Sequence, residues 1–402
     1  MRKILLATTA IVGFVVAGAA QAATTPLNVT IGGDADFVAG AFHESKASTG
    51  ANQAHGDFET LYDLNFGIDG KAGNGVEYGG NLSLNNNPDI SNMFNGTSDG
   101  IEVTDANVFM SGAFGKVVLG DSHGATDLAV TAPTVGEGQV NGRYVDFLNT
   151  QTFAKTFVYG VDGTDHSTNV TYFTPKVGND MNKVQLGVSY IPNFYDYGSS
   201  VVQTRALNTS TTVASPYGNV VKGALAYTGT FHPVSVGVSA DVITGSANTG
   251  YDGQSWLSGI GTNAASGAKV RDFTAFDFGA KAAAQGFTLG ATYSDQGHYN
   301  TVAGQTKQQQ QYGAALKYEF SKVGVGVSYL GGEGYDNMLT TGGTSTSGYD
   351  YISEFNSYGV GGTYAWAPGL TTNADAVLFD QKTESSVKND GYVLLISQKL
   401  AF

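Results

Sequence analysis

Cysteine is absent from this 402-residue chain, which rules out a disulfide scaffold. Charge is scarce: Asp, Glu, Lys and Arg together make up 13%, where about 25% is usual for a soluble domain. The basic share is smaller still, 20 residues against 34 acidic ones, for a net charge of −14. That balance excludes nucleic acid as a partner, because phosphate binding needs a basic surface. Beyond the N-terminus no segment approaches the roughly 20 apolar residues of a spanning helix, and helical periodicity is hard to find anywhere. The six histidines sit in no H-E-x-x-H or other metal spacing. No G-x-S-x-G elbow occurs. A loose dinucleotide-like match at Gly259–Ala264 lies in a long loop without a βαβ context, and glycine is frequent enough for chance. The sequence therefore gives no reason to expect a metal, a cofactor or catalysis.

Glycine and aromatics are plentiful: 56 Gly, 22 Tyr and 22 Phe against 8 Pro. Gly and aromatic residues in alternation suit a barrel wall, whereas helices would call for Ala, Leu, Glu and Lys. The first residues stand apart. A basic Met1-Arg2-Lys3, an apolar Ile4–Gly18 and a small-residue Ala20-Gln21-Ala22 read as an export signal cut after Ala22. Removing Arg2 and Lys3 takes the charge from −14 to −14 − 2 = −16. Residues 23–402 show no linker-like shift in composition and read as one unit.

Alternation with period 2 fills that unit. Val29, Ile31, Ala35 and Phe37 alternate with Thr30, Asp34 and Asp36; Phe58, Tyr62, Leu64, Phe66 and Ile68 alternate with Glu59, Asp63 and Asp69. The last strand places Tyr392, Leu394, Ile396, Leu400 and the terminal Phe402 on one face, with Gln398 the exception. About sixteen such strands can be counted, and short connections alternate with long polar ones. A soluble β-sandwich would also alternate, but its turns need not segregate by length. The pattern predicts an all-β fold: a transmembrane antiparallel up-and-down β-barrel with short periplasmic turns and long extracellular loops. Sixteen strands enclose water rather than a packed core.

Strand parity then assigns an inward face. Asp34, Asp36, Glu59, Asp63, Asp69, Glu77 and Asp105 fall opposite the apolar stripe of the first four strands, with no Lys or Arg among them. Lys222, Arg271, Lys281, Lys317 and Lys399 fall there in later strands. An acidic wall predicts a preference for cations.

Two stretches resemble the general porins of Gram-negative outer membranes: "GAFGKVVLGDSHG" (Gly112–Gly124), and "NVTYFTP" (Asn169–Pro175) with the following "VQLGVSYIP". The resemblance implies an outer-membrane homotrimer in contact with lipid and lipopolysaccharide, passing small hydrophilic solutes and ions. It also makes Phe402 a signal for the barrel-assembly machinery. In that family the third long connection folds into the barrel and narrows it. Here that connection is Asp121 to about Asn149, carrying Asp121, His123, Asp127, Glu137, Arg143 and Asp146; the other reading is an ordinary exposed loop. The chain departs from the family in lacking a basic cluster on the early strands. Two other readings stay open: a substrate-specific channel with sugar sites in the lumen, and a barrel hydrolase, which would need a Ser/His pair near one rim.

Overall fold

Each run of alternation becomes a strand. A computed structural model describes residues 27–45, 55–86, 101–134, 136–137, 143–148, 166–194, 217–247, 271–299, 309–333, 352–383 and 388–402. The export signal expected at 1–22 and the Gly259–Ala264 match lie outside these. In chain order the elements are β1 (Asn28–Glu44), β2 (Gly56–Lys71), β3 (Glu77–Asn85), β4 (Glu102–Gly112) and β5 (Gly115–Asp121). Two single turns of 3₁₀ helix follow, η1 (Gly124–Leu128) and η2 (Arg143–Phe147). Then come β6 (Thr168–Phe173), β7 (Val177–Gly178), β8 (Asn182–Asn193), β9 (Tyr217–Phe231), β10 (Val234–Ala247), β11 (Phe273–Ala284) and β12 (Phe287–Gly297). The last are β13 (Gln309–Phe320), β14 (Val323–Glu333), β15 (Ile352–Ala367), β16 (Leu370–Thr383) and β17 (Lys388–Ala401).

Every neighbouring pair is antiparallel, and β17 returns to pair with β1 along Asp34↔Ala401 to Glu44↔Gly391. Because β6 and β7 both pair with β8, the 17 strands occupy 17 − 1 = 16 places round a closed barrel. The seam is fastened where Gly33 and Phe402 exchange N–H···O bonds of 3.0 and 2.9 Å. Closure leaves no unpaired edge among the described strands, and hydrocarbon would not tolerate one. At one end the connections are tight. Gln285 and Gly286 both have positive φ, 50° and 85°, the turn whose twist matches a two-residue hairpin.

The outer face is apolar and uncovered. Val360 is 55% exposed, Leu289 57% and Leu378 60%, a surface that a water-soluble monomer would not keep. Aromatic rings border it at both ends. Toward the tight turns, Phe287 stacks on Tyr318 at 4.2 Å, and Tyr364 meets Trp366 edge-on at 4.6 Å. Toward the long connections, Tyr329 lies 5.1 Å from Tyr358 and 6.0 Å from Tyr312. These are the interfacial girdles of a membrane barrel. Gln398, the polar exception of the last strand, belongs to the turn-side rim: Trp366 Nε1 donates to Thr372 Oγ1 (2.8 Å), which donates to Gln398 Oε1 (2.7 Å).

An arginine in place of Val360 should cost about 2–4 kcal/mol in a bilayer, the penalty of a lipid-facing charge near the midplane. Arginine at the inward Lys281 should leave stability unchanged. Urea titration of folding into lipid vesicles checks both.

Candidate functional site: the lumen and the third connection

The inner face carries the strands' acidic residues, each one place along the chain from an outward residue. Asp34, Asp36, Glu59, Asp63, Asp69, Glu77 and Asp105 all fall on this face: cross-strand partners share a side, and Asp34 pairs with Asp63, Asn28 with Asp69, and Asp105 with Ser83. Contrary to the expectation from sequence, a base does join them. β2 runs on to Lys71, whose Nζ lies 3.0 Å from Glu77 Oε1. Lys116 is inward as well, paired with Ser111 and lying 4.8 Å over the Phe109 ring.

The later bases are mostly committed to partners. Lys399 Nζ lies 2.9 Å from Asp34 Oδ2, and Lys317 Nζ 2.7 Å from Glu319 Oε1. Lys281 is exposed on the inner face, opposite Gly237 and Gly290. Arg271 is not on a strand; it precedes β11. Lys222 is 1% exposed, and its ammonium donates to the His123 carbonyl at 2.8 Å. It also acts electrostatically on two inward carboxylates, the buried Asp241 and the half-buried Asp277, which face each other across β10 and β11. Alternation marks these two acids as it does the early ones, since Val238, Val242, Phe276 and Phe278 flank them facing outward.

The described part of the third connection lies along this inner face. Asp121 is the exception: still part of β5, it pairs with Ala106, the outward neighbour of Asp105, and accepts from Thr168 Oγ1 at 2.5 Å, so its register is not that of a lumen-wall charge. η1 then packs on β6, β8 and β9, with the Ala125 N–H donating to Ser189 Oγ at 2.6 Å. The Val130 N–H donates to Ser239 Oγ on β10 at 2.7 Å. The Val130 carbonyl lies so close over Gly279 of β11 that any Cβ there would collide with it, and Pro133 stands 2.8 Å from where a Cβ of Gly290 would be.

From Pro133 on β12 the chain reaches the opposite wall. The Glu137 N–H donates to the Asp375 carboxylate on β16. Glu137 Oε1 accepts from Asn373 Nδ2 at 2.5 Å and Ser397 Oγ at 3.1 Å. Glu137 is therefore an anchor, 7% exposed, rather than a charge offered to the water path. η2 follows against β1 and β17. Tyr144 and Phe147, 1% and 5% exposed, pack with Val38, Val377, Phe379, Val393 and Leu395. Each such burial stabilises by about 1.5–3 kcal/mol. Asp146 is half-buried on η2, and Arg143 opens it.

Beside η1 a recess of about 500 Å³ remains open, lined among others by Asn65, Asn81, Asp105, Asn107, Lys116 and Asp127. Its wall is the acidic side, β1 to β5. His123 lines it too, and the histidines that look scattered in the chain are here brought together: the His123 and His166 rings are 4.4 Å apart.

A closed barrel, apolar outside and wet inside, is the architecture of an outer-membrane channel. The sequence profile of the Gram-negative porins matches residues 7–384, and the chain belongs to that family. No curated protein matches the sequence. Among solved structures it is similar to OmpF of Salmonella typhi in complex with daunomycin (15% identity, 92% of this chain and 97% of that one, TM-score 0.55). It is also similar to an anion-selective porin from Comamonas acidovorans (12%, 94% and 100%, 0.55) and to the trimer form of OmpT, an outer membrane protein of Vibrio cholerae (13%, 94% and 100%, 0.55). At these identities the likeness is one of fold. The protein resides in the outer membrane and provides a path for diffusion across it.

Replacing Lys222 by Met should destabilise the barrel by about 3–5 kcal/mol, as loss of one partner from a buried charge group does. A lower temperature for loss of the compact, heat-modifiable band in gel electrophoresis checks this.

Proposed function

We propose that this porin is a general diffusion pore preferring cations, in which the third connection narrows the lumen and three chains form the working unit. The selectivity reading rests on one observation: the wall left open beside η1 is the acidic one. Asp105 lines the recess from β4 and Asp127 from the connection, Asp63 and Asp69 lie on the inner face of the neighbouring β2, and Lys116 is the one Lys or Arg lining the recess. Of the other inward bases named above, Lys71, Lys317 and Lys399 are held by carboxylates and Lys222 by a carbonyl, while Lys281 on β11 is exposed. Carboxylates along a pore raise the local cation concentration and oppose anions. Fold alone does not fix the sign, since a barrel of the same architecture in Comamonas acidovorans is anion-selective. The support for a cation preference is this chain's own wall.

The constriction reading rests on anchors at both walls, Ser189 and Ser239 on one and Asn373, Asp375 and Ser397 on the other. The trimer reading has its support in the trimer form of the Vibrio cholerae relative. The export signal, the lipid and lipopolysaccharide around the apolar band, and recognition of Phe402 by the assembly machinery complete the proposal. Solutes cross by diffusion through water, and no covalent step is involved.

In a planar bilayer with a tenfold KCl gradient, the zero-current potential should take the sign of a cation-selective pore. Replacing Asp63, Asp69 and Asp127 together by Asn should move it toward zero. An anion-selective sign in the unmodified protein would overturn the reading. For the constriction, Gly279→Val should push residues 129–134 off β11 into the lumen and lower single-channel conductance, with the folded band retained; unchanged conductance would count against it.

A further inference from the structure

We propose that His123, His166 and Asp105 form a binding site for a first-row divalent cation of zinc's class, at the base of the third connection and open to the lumen. One ligand atom from each of the three residues lies within 4.8 Å of the other two. His166 Nδ1 and Asp105 Oδ1 are 3.5 Å apart, close to the edge of about 3.4 Å that a tetrahedron with bonds of about 2.0–2.1 Å requires. The two imidazole rings lie 4.4 Å apart at 61°, and a rotation of the His123 side chain would bring its nitrogen to the same point. Two imidazoles and one carboxylate form a donor set for zinc and its neighbours, and three protein ligands leave the remaining position to water.

The three residues come from separate parts of the chain and are held by buried groups. Asp105 lies on β4 opposite Ser83, beside a register shift in the ladder. His123 follows β5 and His166 precedes β6, and one side chain holds the backbone beside both. The Asn169 amide, 3% exposed, donates to the Ser122 carbonyl at 2.7 Å and to the Ser167 carbonyl at 2.8 Å. Those carbonyls belong to the residues next to the two histidines. The His123 carbonyl also accepts from Lys222 Nζ and from Thr126 Oγ1, each at 2.8 Å. Such outer support orients metal ligands before the metal arrives. Asp105, His123 and Asp127 line the 500 Å³ recess, so a hydrated ion has a route from the pore. Lys116, the opposing charge in that recess, lies over the Phe109 ring. A bound ion would clip the two ends of the connection to the β4 wall.

The test uses the untagged mature protein in detergent, freed of metal with EDTA, and cobalt(II) chloride as probe. The expected result is a visible spectrum of four- or five-coordinate cobalt, saturating at one ion per chain and displaced by zinc chloride. Affinity should fall more than tenfold in His166→Ala and in Asp105→Asn. Asn169→Ala, a positioning change, should weaken binding by about 10–100-fold while the spectrum at saturation keeps its shape. Absence of a saturable spectrum, or His166→Ala and Asp105→Asn variants that bind as the parent does, would overturn the proposal. Should His166→Ala fail to give the folded band, Asp105→Asn decides alone. Binding is read without any current, so the site and the pore's ion preference succeed or fail separately.

Discussion

Hydrocarbon offers no partner to a peptide group, and that single deficiency organises the molecule. Every N–H and C=O at membrane depth must find its complement in protein, so the sheet has to close on itself. Closure makes the first strand meet the last, and the antiparallel order of the strands sorts the connections to two ends. Once closed, the barrel has one face in lipid and one in water. The alternation of Val29, Ile31 and Phe37 with Thr30, Asp34 and Asp36 answers those two solvents residue by residue.

Water inside creates the second constraint, which the third connection resolves. A polar wall can hold a polypeptide only if its backbone groups are met, and serines, an asparagine and an aspartate meet them. Where backbone crosses β11 and β12 there is no room for a side chain, and glycine stands at 279 and 290. At the far wall the chemistry changes to apolar contact, with Tyr144 and Phe147 covering Val38 and Val393. Hydrogen bonds specify where the segment lies, and buried rings keep it there.

Much of this was legible in the chain because a strand has only two faces. Alternation reveals the barrel, the lipid face and the early inward acids, and Asp241, Asp277 and Asp375 obey the same rule. It cannot show which distant residues meet across the lumen. Lys222 and His123 are separated by 99 residues, and Glu137 and Asp375 by 238. Such pairings depend on the curvature and register of the whole wall. For that reason Lys222 and Glu137, which sequence marks as pore charges, turn out to hold the connection instead. Strand ends are also blurred: alternation fades before the ladder does, so Lys71 and Asp121 look like loop residues although the sheet includes them. The nearness of His123 and His166 was equally hidden, because spacing along a loop says nothing about where its two ends return.

The pairing of β1 with β17 has a consequence for the order of events in the cell. A ribosome releases β1 long before β17 exists, so for most of its synthesis the chain has a strand without its neighbour. Loop-closure entropy across nearly the full length must be overcome before that last ladder gains anything. Until then any partly formed sheet presents two raw borders that would pair with those of another copy. Assembly of this architecture is thus all-or-none at the seam, and the exchange of bonds between Gly33 and Phe402 marks its completion.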